Sequence, residues 1–114
     1  MDSLEKNQAC SDECPVKKTA ELIEGKWTTL VIRELLPHKK RYSEIQRALT
    51  GISPKVLTTR LRFLEKKGVI TRTVYATVPP TTEYELTNMG EKLKEVLDAM
   101  AEFGKNSNNR INID

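Results

Sequence analysis

The spacing of apolar residues along the chain predicts several short helices, then a hairpin and a final helix. Apolar residues first recur every three or four positions, as on one face of a helix. After Gly68 they give way to β-branched and aromatic residues typical of strands, and helical spacing returns after Thr87. The predicted elements are helices from Pro15 up to Gly25 and over 27–36, 43–49 and 54–67, strands over 69–78 and 82–86 joined at Pro79-Pro80-Thr81, and a last helix capped by Thr87.

Residues that favour helix ends support these boundaries. Pro15 and Pro54 fit the first position of a helix, where no backbone N–H is needed. Ser53 is a good N-cap, Ser43 opens a capping-box pattern, and Gly68 suits a left-handed C-cap. The order helix, helix, helix-turn-helix, hairpin, helix predicts a mainly α, α+β fold. This fold is a winged helix-turn-helix with extra N- and C-terminal helices for dimerisation.

Length and composition narrow the class of protein. The 114 residues suffice for one domain, and 31% charged with 38% hydrophobic residues is a globular composition. No apolar run could span a membrane, so we expect a cytoplasmic protein. One histidine, two cysteines and no phosphate-binding or paired-carboxylate motif argue against an enzyme, a cofactor or a metal site. We expect a flexible segment over 1–13, the domain over 14–104 and a polar tail over 105–114.

The positive charge is concentrated in the middle of the chain. Residues 1–37 carry five basic and seven acidic side chains, residues 38–73 ten and two, and residues 74–114 four and seven. A central block of +8 between acidic flanks suggests a surface that binds a polyanion. An ordinary solvated basic surface is the alternative.

The polar face of the helix over 54–67 favours the first interpretation. At 100° per residue, Lys55, Thr58, Thr59, Arg62 and Lys66 form one polar arc with Glu65 alone at its edge. Lysine, arginine and threonine are the residues that contact base edges and phosphates in the major groove. Arg60 faces the apolar arc instead. We expect contacts with double-stranded DNA from Arg41, Ser43, Ser53, Lys55, Thr58, Thr59, Arg62 and Arg72, with Arg62 and Arg72 on phosphates.

A set of ordered motifs places the chain beside a known family. They are Cys14-Pro15, Gly25-Lys26-Trp27, Arg41-Tyr42-Ser43-Glu44-Ile45, Gly51-Ile52-Ser53, Leu57-Thr58-Thr59-Arg60-Leu61, Leu64-Glu65-Lys66-Lys67-Gly68-Val69-Ile70, Val78-Pro79-Pro80, Glu83-Tyr84 and Leu86-Thr87. From Cys14 to Gly104 the chain resembles the HxlR-type branch of MarR-like winged-helix transcription regulators. The resemblance implies a bacterial or archaeal homodimer that binds a pseudo-palindromic operator, most often as a repressor.

Three positions depart from the family pattern. Thr81 stands where an arginine often follows the two prolines, which puts a minor-groove arginine contact in doubt. Tyr42 replaces a common phenylalanine, a change we expect to be harmless. Phe103 replaces a tryptophan and keeps its apolar character.

Two apolar stripes suggest how two copies would associate. The last helix carries one stripe at spacings of three and four, and the first helix carries another. A small winged-helix core can cover only part of them, although both could also fold back on the monomer. The expected interface residues are Val16, Ala20, Met89, Leu93, Val96, Leu97 and Met100.

Cys14 is a candidate redox sensor. A thiol just before a helix, with Lys17 and Lys18 in the first turn, is favoured as thiolate, while Asp12 and Glu13 oppose this. The resemblance implies that a cysteine at this position is the residue that becomes oxidised in thiol-sensing members of the family. The effector would then be an oxidant or another small molecule, and an inert interface cysteine is the alternative. Cys10 is either a resolving thiol or an uninvolved cysteine.

Two other functions compete with DNA binding. A winged-helix module can instead bind protein, and a steep salt dependence on duplex DNA would distinguish the two. A small thiol oxidoreductase is the weaker option, because the cysteines are spaced C-x-x-x-C rather than C-x-x-C.

Overall fold

The computed structural model of the protein describes residues 14–107. The predicted segment over 1–13 with Cys10, and residues 108–114 of the predicted tail, lie outside this range. The elements within it are α1 (Pro15–Leu22), α2 (Lys26–Leu35), β1 (Lys40–Arg41), α3 (Tyr42–Ala48), α4 (Pro54–Lys66), β2 (Ile70–Tyr75), β3 (Thr81–Leu86), α5 (Asn88–Glu91) and α6 (Leu93–Ser107). This order confirms the predicted winged helix-turn-helix.

One hydrophobic core holds the helices and the sheet together. The apolar arc predicted for α4 is buried, with Leu57, Leu61 and Leu64 inaccessible to solvent or nearly so. This burial is the main force that fixes the orientation of α4, since its opposite arc is polar. The other buried apolar residues are Val31, Ile32, Leu35, Ile45, Leu49, Ile52, Val69, Ile70, Tyr84, Leu86 and Leu93.

The wing is a three-stranded antiparallel sheet in the order β1-β3-β2. The hairpin of β2 and β3 runs in register from Ile70 opposite Leu86 to Tyr75 opposite Thr81. Strand β2 ends at Tyr75 and not at position 78 as predicted, because the two prolines of the tip cannot donate ladder hydrogen bonds. Strand β1 pairs with β3 and was not predicted, since two residues carry no alternating pattern.

The helix ends follow local hydrogen bonds, with one correction. The Ser53 Oγ accepts a hydrogen bond of 3.1 Å from the Val56 N–H, as expected of an N-cap. The predicted start of α3 at Ser43 is wrong, because Arg41 is the N-cap and its N–H donates to Glu44 Oε1 at 2.8 Å. Ser43 therefore lies inside the first turn of α3. The bond with the Arg41 N–H lowers the pKa of Glu44 below its ordinary value.

The terminal helices also differ from the prediction. Helix α1 stops at Leu22, and Gly25 caps α2. The single last helix predicted after Thr87 is two helices, α5 and α6, and α6 continues to Ser107, three residues into the predicted tail. None of the helices within residues 14–107 is both long and apolar enough to cross a bilayer.

Candidate nucleic-acid interface

Helices α3 and α4 form a helix-turn-helix, and the polar side of α4 is its solvent-facing surface. The turn between them buries Ile52, so the two helices share the core. Lys55, Thr59, Arg62 and Lys66 are exposed on α4, and Thr58 is half-buried. The structure therefore brings the residues of the predicted polar arc together on one solvent-facing side.

The hydroxyl groups on this face already have partners in the protein. Thr59 Oγ1 donates a hydrogen bond of 2.8 Å to the Lys55 carbonyl oxygen, so it faces solvent as an acceptor. The Tyr42 hydroxyl lies 3.4 Å from Thr58 Oγ1 and 3.4 Å from the Pro54 carbonyl oxygen. A phenylalanine at position 42 could make neither contact. Sequence reasoning missed this link, although the tyrosine in place of the common phenylalanine was its signal.

A polar cleft separates α4 from the wing. Arg62 and Glu65 of α4, Arg72 of β2 and Tyr84 of β3 line it together with Thr58. Arg72 Nε lies 3.6 Å from Glu65 Oε1, so the arginine predicted to bind phosphate is paired with a carboxylate. Burial raises the pKa of the Tyr84 hydroxyl, which stays neutral. The cleft thus places two arginines and two hydroxyl groups beside one acid.

A second cleft joins the start of α3 to the wing tip. Arg41, Tyr42 and Ser43 line it from one side, and Pro80, Thr81 and Thr82 line it from the other. Arg41 and Ser43 are exposed. These two segments could not be expected together from sequence, because it is the pairing of β1 with β3 that brings them side by side.

The wing carries its own acid–base cluster, which sequence reasoning missed. The Tyr75 hydroxyl donates to Glu83 Oε1 at 2.9 Å, and Lys39 Nζ lies 3.6 Å from the same oxygen. The bond to Glu83 raises the pKa of Tyr75. Glu83 therefore offsets the positive charge of Lys39 at this edge of the sheet.

Unpaired positive charge is concentrated on α4 and at the start of α3. Arg41, Lys55 and Arg62 form no ion pair with any residue of the range 14–107, whereas Arg72 and Lys40 each pair with a glutamate. Arg60, which was expected to face the apolar arc, has a buried Nε with no hydrogen-bond partner among the described residues. The polar face of α4 thus carries basic side chains that form no ion pair with another residue of the range 14–107.

Comparison with known proteins decides the family. The HxlR-like helix-turn-helix family matches residues 22–112. The chain belongs to this family. It is 45% identical over 96 residues to the uncharacterized HTH-type transcriptional regulator YtcD of Bacillus subtilis (strain 168), covering 84% of this chain and 76% of that protein. The HxlR-like family and its relatives are transcriptional regulators and not enzymes.

Solved structures agree with this HxlR-like assignment. A MarR-family protein from Porphyromonas gingivalis W83 aligns with a TM-score of 0.80 at 44% identity, over 83% of this chain and 93% of that one. The redox regulator HypR in its oxidized form aligns with a TM-score of 0.76 at 38% identity, over 89% of this chain and 99% of that one.

The apolar residues predicted to join two HxlR-like subunits fall into two groups. Leu93 is only 7% exposed and belongs to the hydrophobic core, so the expectation that it lies on an exposed stripe is wrong. Val96 and Leu97 are partly buried against the same core. The exposed members are Val16 (76%), Met89 (43%), Met100 (46%) and Ala20, and Phe103 on α6 is also exposed.

Cys14 occupies the N-cap position of α1. The thiol is half-buried, and it makes no side-chain capping hydrogen bond. Further along the same helix, Lys18, Glu21 and Leu22 line a depression together with Lys67. Helix α1 therefore runs from the cysteine to a depression that it shares with Lys67, at the C-terminal end of α4.

Proposed function

We propose that this HxlR-like protein binds double-stranded DNA sequence-specifically, as a homodimer on a pseudo-palindromic operator, and represses transcription there. The single observation that carries the proposal is the exposed, unpaired basic face of α4, with Lys55 near its capped start. The N-terminal part of a recognition helix is the part that reaches base edges in the major groove. Arg62, about two turns further along α4 and beside the wing, is placed for the phosphate backbone.

The homodimer is proposed from the apolar surface of α1 and α6. Val16 and Ala20 of α1, with Pro15, Thr19 and Ile23, line one apolar depression. Leu97 and Met100 of α6 line another with Leu30 of α2 and with Leu36, the C-cap of α2. Burying both surfaces against a symmetry-related copy gives a self-complementary interface, and a two-fold axis matches a pseudo-palindromic site.

We further propose that modification of the Cys14 thiol changes operator affinity. The half-buried Sγ lies at the end of α1, whose other end flanks Lys67, so a larger or cross-linked sulfur would shift α1 against α4. The relative HypR is a redox regulator, which supports an oxidant as the signal. A small change in α1 would alter the spacing of the two recognition helices in the dimer.

Fluorescence anisotropy with the duplex upstream of the protein's own gene tests the DNA-binding proposal. We expect binding that is tighter than to a scrambled duplex of equal length and that weakens steeply with salt, because phosphate contacts release counterions. Equal affinity for both duplexes would refute sequence specificity. Light scattering at tens of micromolar protein tests the dimer, and a monomer at that concentration would refute it.

The same assay with a thiol oxidant tests the role of Cys14. We expect the wild-type affinity for the operator to change on oxidation and to recover with a reductant. The Cys14→Ser variant keeps the size of the side chain and should lose the response, whereas Cys10→Ser is the matched control for the second thiol. An unchanged response in Cys14→Ser would remove Cys14 as the sensor.

A further inference from the structure

The Tyr42 hydroxyl connects the first helix of the helix-turn-helix with the start of the recognition helix. Tyr42 begins α3, and its Oη lies within hydrogen-bond distance of both the Pro54 carbonyl oxygen and Thr58 Oγ1, each at 3.4 Å. Tyr42 and Thr58 are both half-buried, so the contact is shielded in part from competing water. Thr58 is the half-buried member of the α4 polar arc.

The protons available fix the direction of these two hydrogen bonds. A carbonyl oxygen can only accept, and a tyrosine has a single hydroxyl proton. When both bonds form, Tyr42 must donate to Pro54 and Thr58 must donate to Tyr42 Oη. The only hydroxyl proton of Thr58 then points into the protein, and Thr58 Oγ1 has only lone pairs left for a ligand.

We propose that Tyr42 is a positioning residue: its hydroxyl makes Thr58 an obligate hydrogen-bond acceptor in base recognition. This inference rests on the proposed DNA binding. In the major groove, adenine N6 and cytosine N4 are donors, whereas guanine O6, N7 and thymine O4 only accept. Thr58 Oγ1 therefore selects an amino-bearing base, adenine or cytosine, at the position it meets. Without the Tyr42 hydroxyl the Thr58 proton is free to rotate, and the selection relaxes.

Sequencing of duplexes selected from a random library by the full-length protein tests this proposal. The variants are Tyr42→Phe, which removes only the hydroxyl, Thr58→Val, which removes the other partner at constant shape, and the double variant. Tyr75→Phe is the matched control, because its hydroxyl binds Glu83 on the wing. Thermal melting of each variant establishes that it is folded.

The expected result is a change confined to one position of each half-site. Wild type should prefer adenine or cytosine there by about three- to tenfold, the range that one net hydrogen bond supplies. Tyr42→Phe and Thr58→Val should both reduce this preference to within about twofold of none, and the double variant should add nothing. The control Tyr75→Phe should keep the wild-type preference at this position. In every variant, the other positions of the motif should keep their own wild-type base preferences.

Other outcomes overturn the proposal in distinguishable ways. A Tyr42→Phe motif equal to that of wild type, or changes at different positions in Tyr42→Phe and Thr58→Val, refutes the inference and leaves DNA binding intact. A loss spread evenly over all positions shows a general effect on α4 and also refutes it. If wild type enriches no motif, the proposed function itself fails, and the inference fails with it.

Discussion

The Thr87 hydroxyl donates a hydrogen bond of 2.6 Å to the carbonyl oxygen of Gly68. Gly68 ends the recognition helix with a φ of +82°, a conformation that favours glycine, and Thr87 begins the C-terminal helices. The same Thr87 oxygen accepts from the Gly90 N–H at 3.0 Å, and the Thr87 N–H donates to the Val69 carbonyl oxygen at 3.0 Å. Residues 19 positions apart thus fix the end of α4 against the start of α5.

Replacing Thr87 with valine should destabilise the protein by about 1–3 kcal/mol, because it removes an N-cap and leaves the Gly68 carbonyl without this donor. Urea denaturation at fixed protein concentration measures the loss. Thr87→Ser restores the hydroxyl and should recover most of the stability. A loss of stability in Thr87→Ser without any loss in Thr87→Val would show that the methyl group, and not the hydroxyl, stabilises this junction.

Replacing Gly90 with alanine should destabilise the protein by about 1–3 kcal/mol through overpacking. An added Cβ would collide with the Val69 carbonyl oxygen and lie 3.1 Å from Leu86 Cδ2. Gly104→Ala is the control, because a Cβ there meets no atom within 4 Å. It should leave stability unchanged or raise it by up to about 1 kcal/mol, as alanine favours a helix over glycine. Equal melting temperatures for the two variants would contradict the close packing at Gly90.

The N-cap contact of Glu44 should make part of the stability depend on pH. Its pKa is lowered in the folded state by the Arg41 N–H, so its contribution is present above the ordinary value of 4.5 and is lost as pH falls through the lowered value. The melting temperature of Glu44→Ala should therefore lie below that of wild type at pH 7, with the gap narrowing under acid conditions. Glu44→Gln keeps an acceptor oxygen and should show a smaller gap. A gap independent of pH would contradict a charged acceptor at this helix start.

Replacing Lys55 with alanine should weaken operator binding by about 1–3 kcal/mol and reduce the preference over random duplex. Lys55 is exposed near the start of α4 and forms no ion pair with a residue of the range 14–107. Lys94→Ala is the control for charge, since Lys94 lies on α6 and pairs with Asp98 at 2.7 Å. Anisotropy titrations with both duplexes give the two affinities. An equal loss on operator and random DNA would assign Lys55 to the phosphate backbone instead.

Replacing Arg72 with alanine should weaken binding to all duplexes alike and reduce the slope of log affinity against log salt by about one. The wing strand places Arg72 beside Arg62 across the polar cleft, and Glu65 restrains its Nε. Titrations at several salt concentrations measure the slope. A loss confined to the operator would instead indicate that Arg72 reads sequence.

The recognition helix could be predicted from local pattern alone. Leu57, Leu61 and Leu64 recur at helical spacing, Ser53 and Gly68 are good caps, and the structure confirms each of these features. The start of α3 could not be placed correctly, since Ser43 and Gln46 form a capping-box pattern in the sequence, whereas the structure pairs Glu44 with the backbone N–H of Arg41. Strand β1 and the split between α5 and α6 were missed because two paired residues and a one-residue break leave no periodic signal.

The sequence by itself determined the order of the main helices and the hairpin, the buried arc of α4 and the position of the positive charge, because periodicity, capping and charge are properties of neighbouring residues. Only the tertiary structure decided that Leu93 enters the core, that Glu65 restrains Arg72 and that Tyr42 reaches Thr58. These contacts join residues on different elements, and their geometry depends on how the helices and the sheet pack around a shared core. A linear pattern contains no information on such distances.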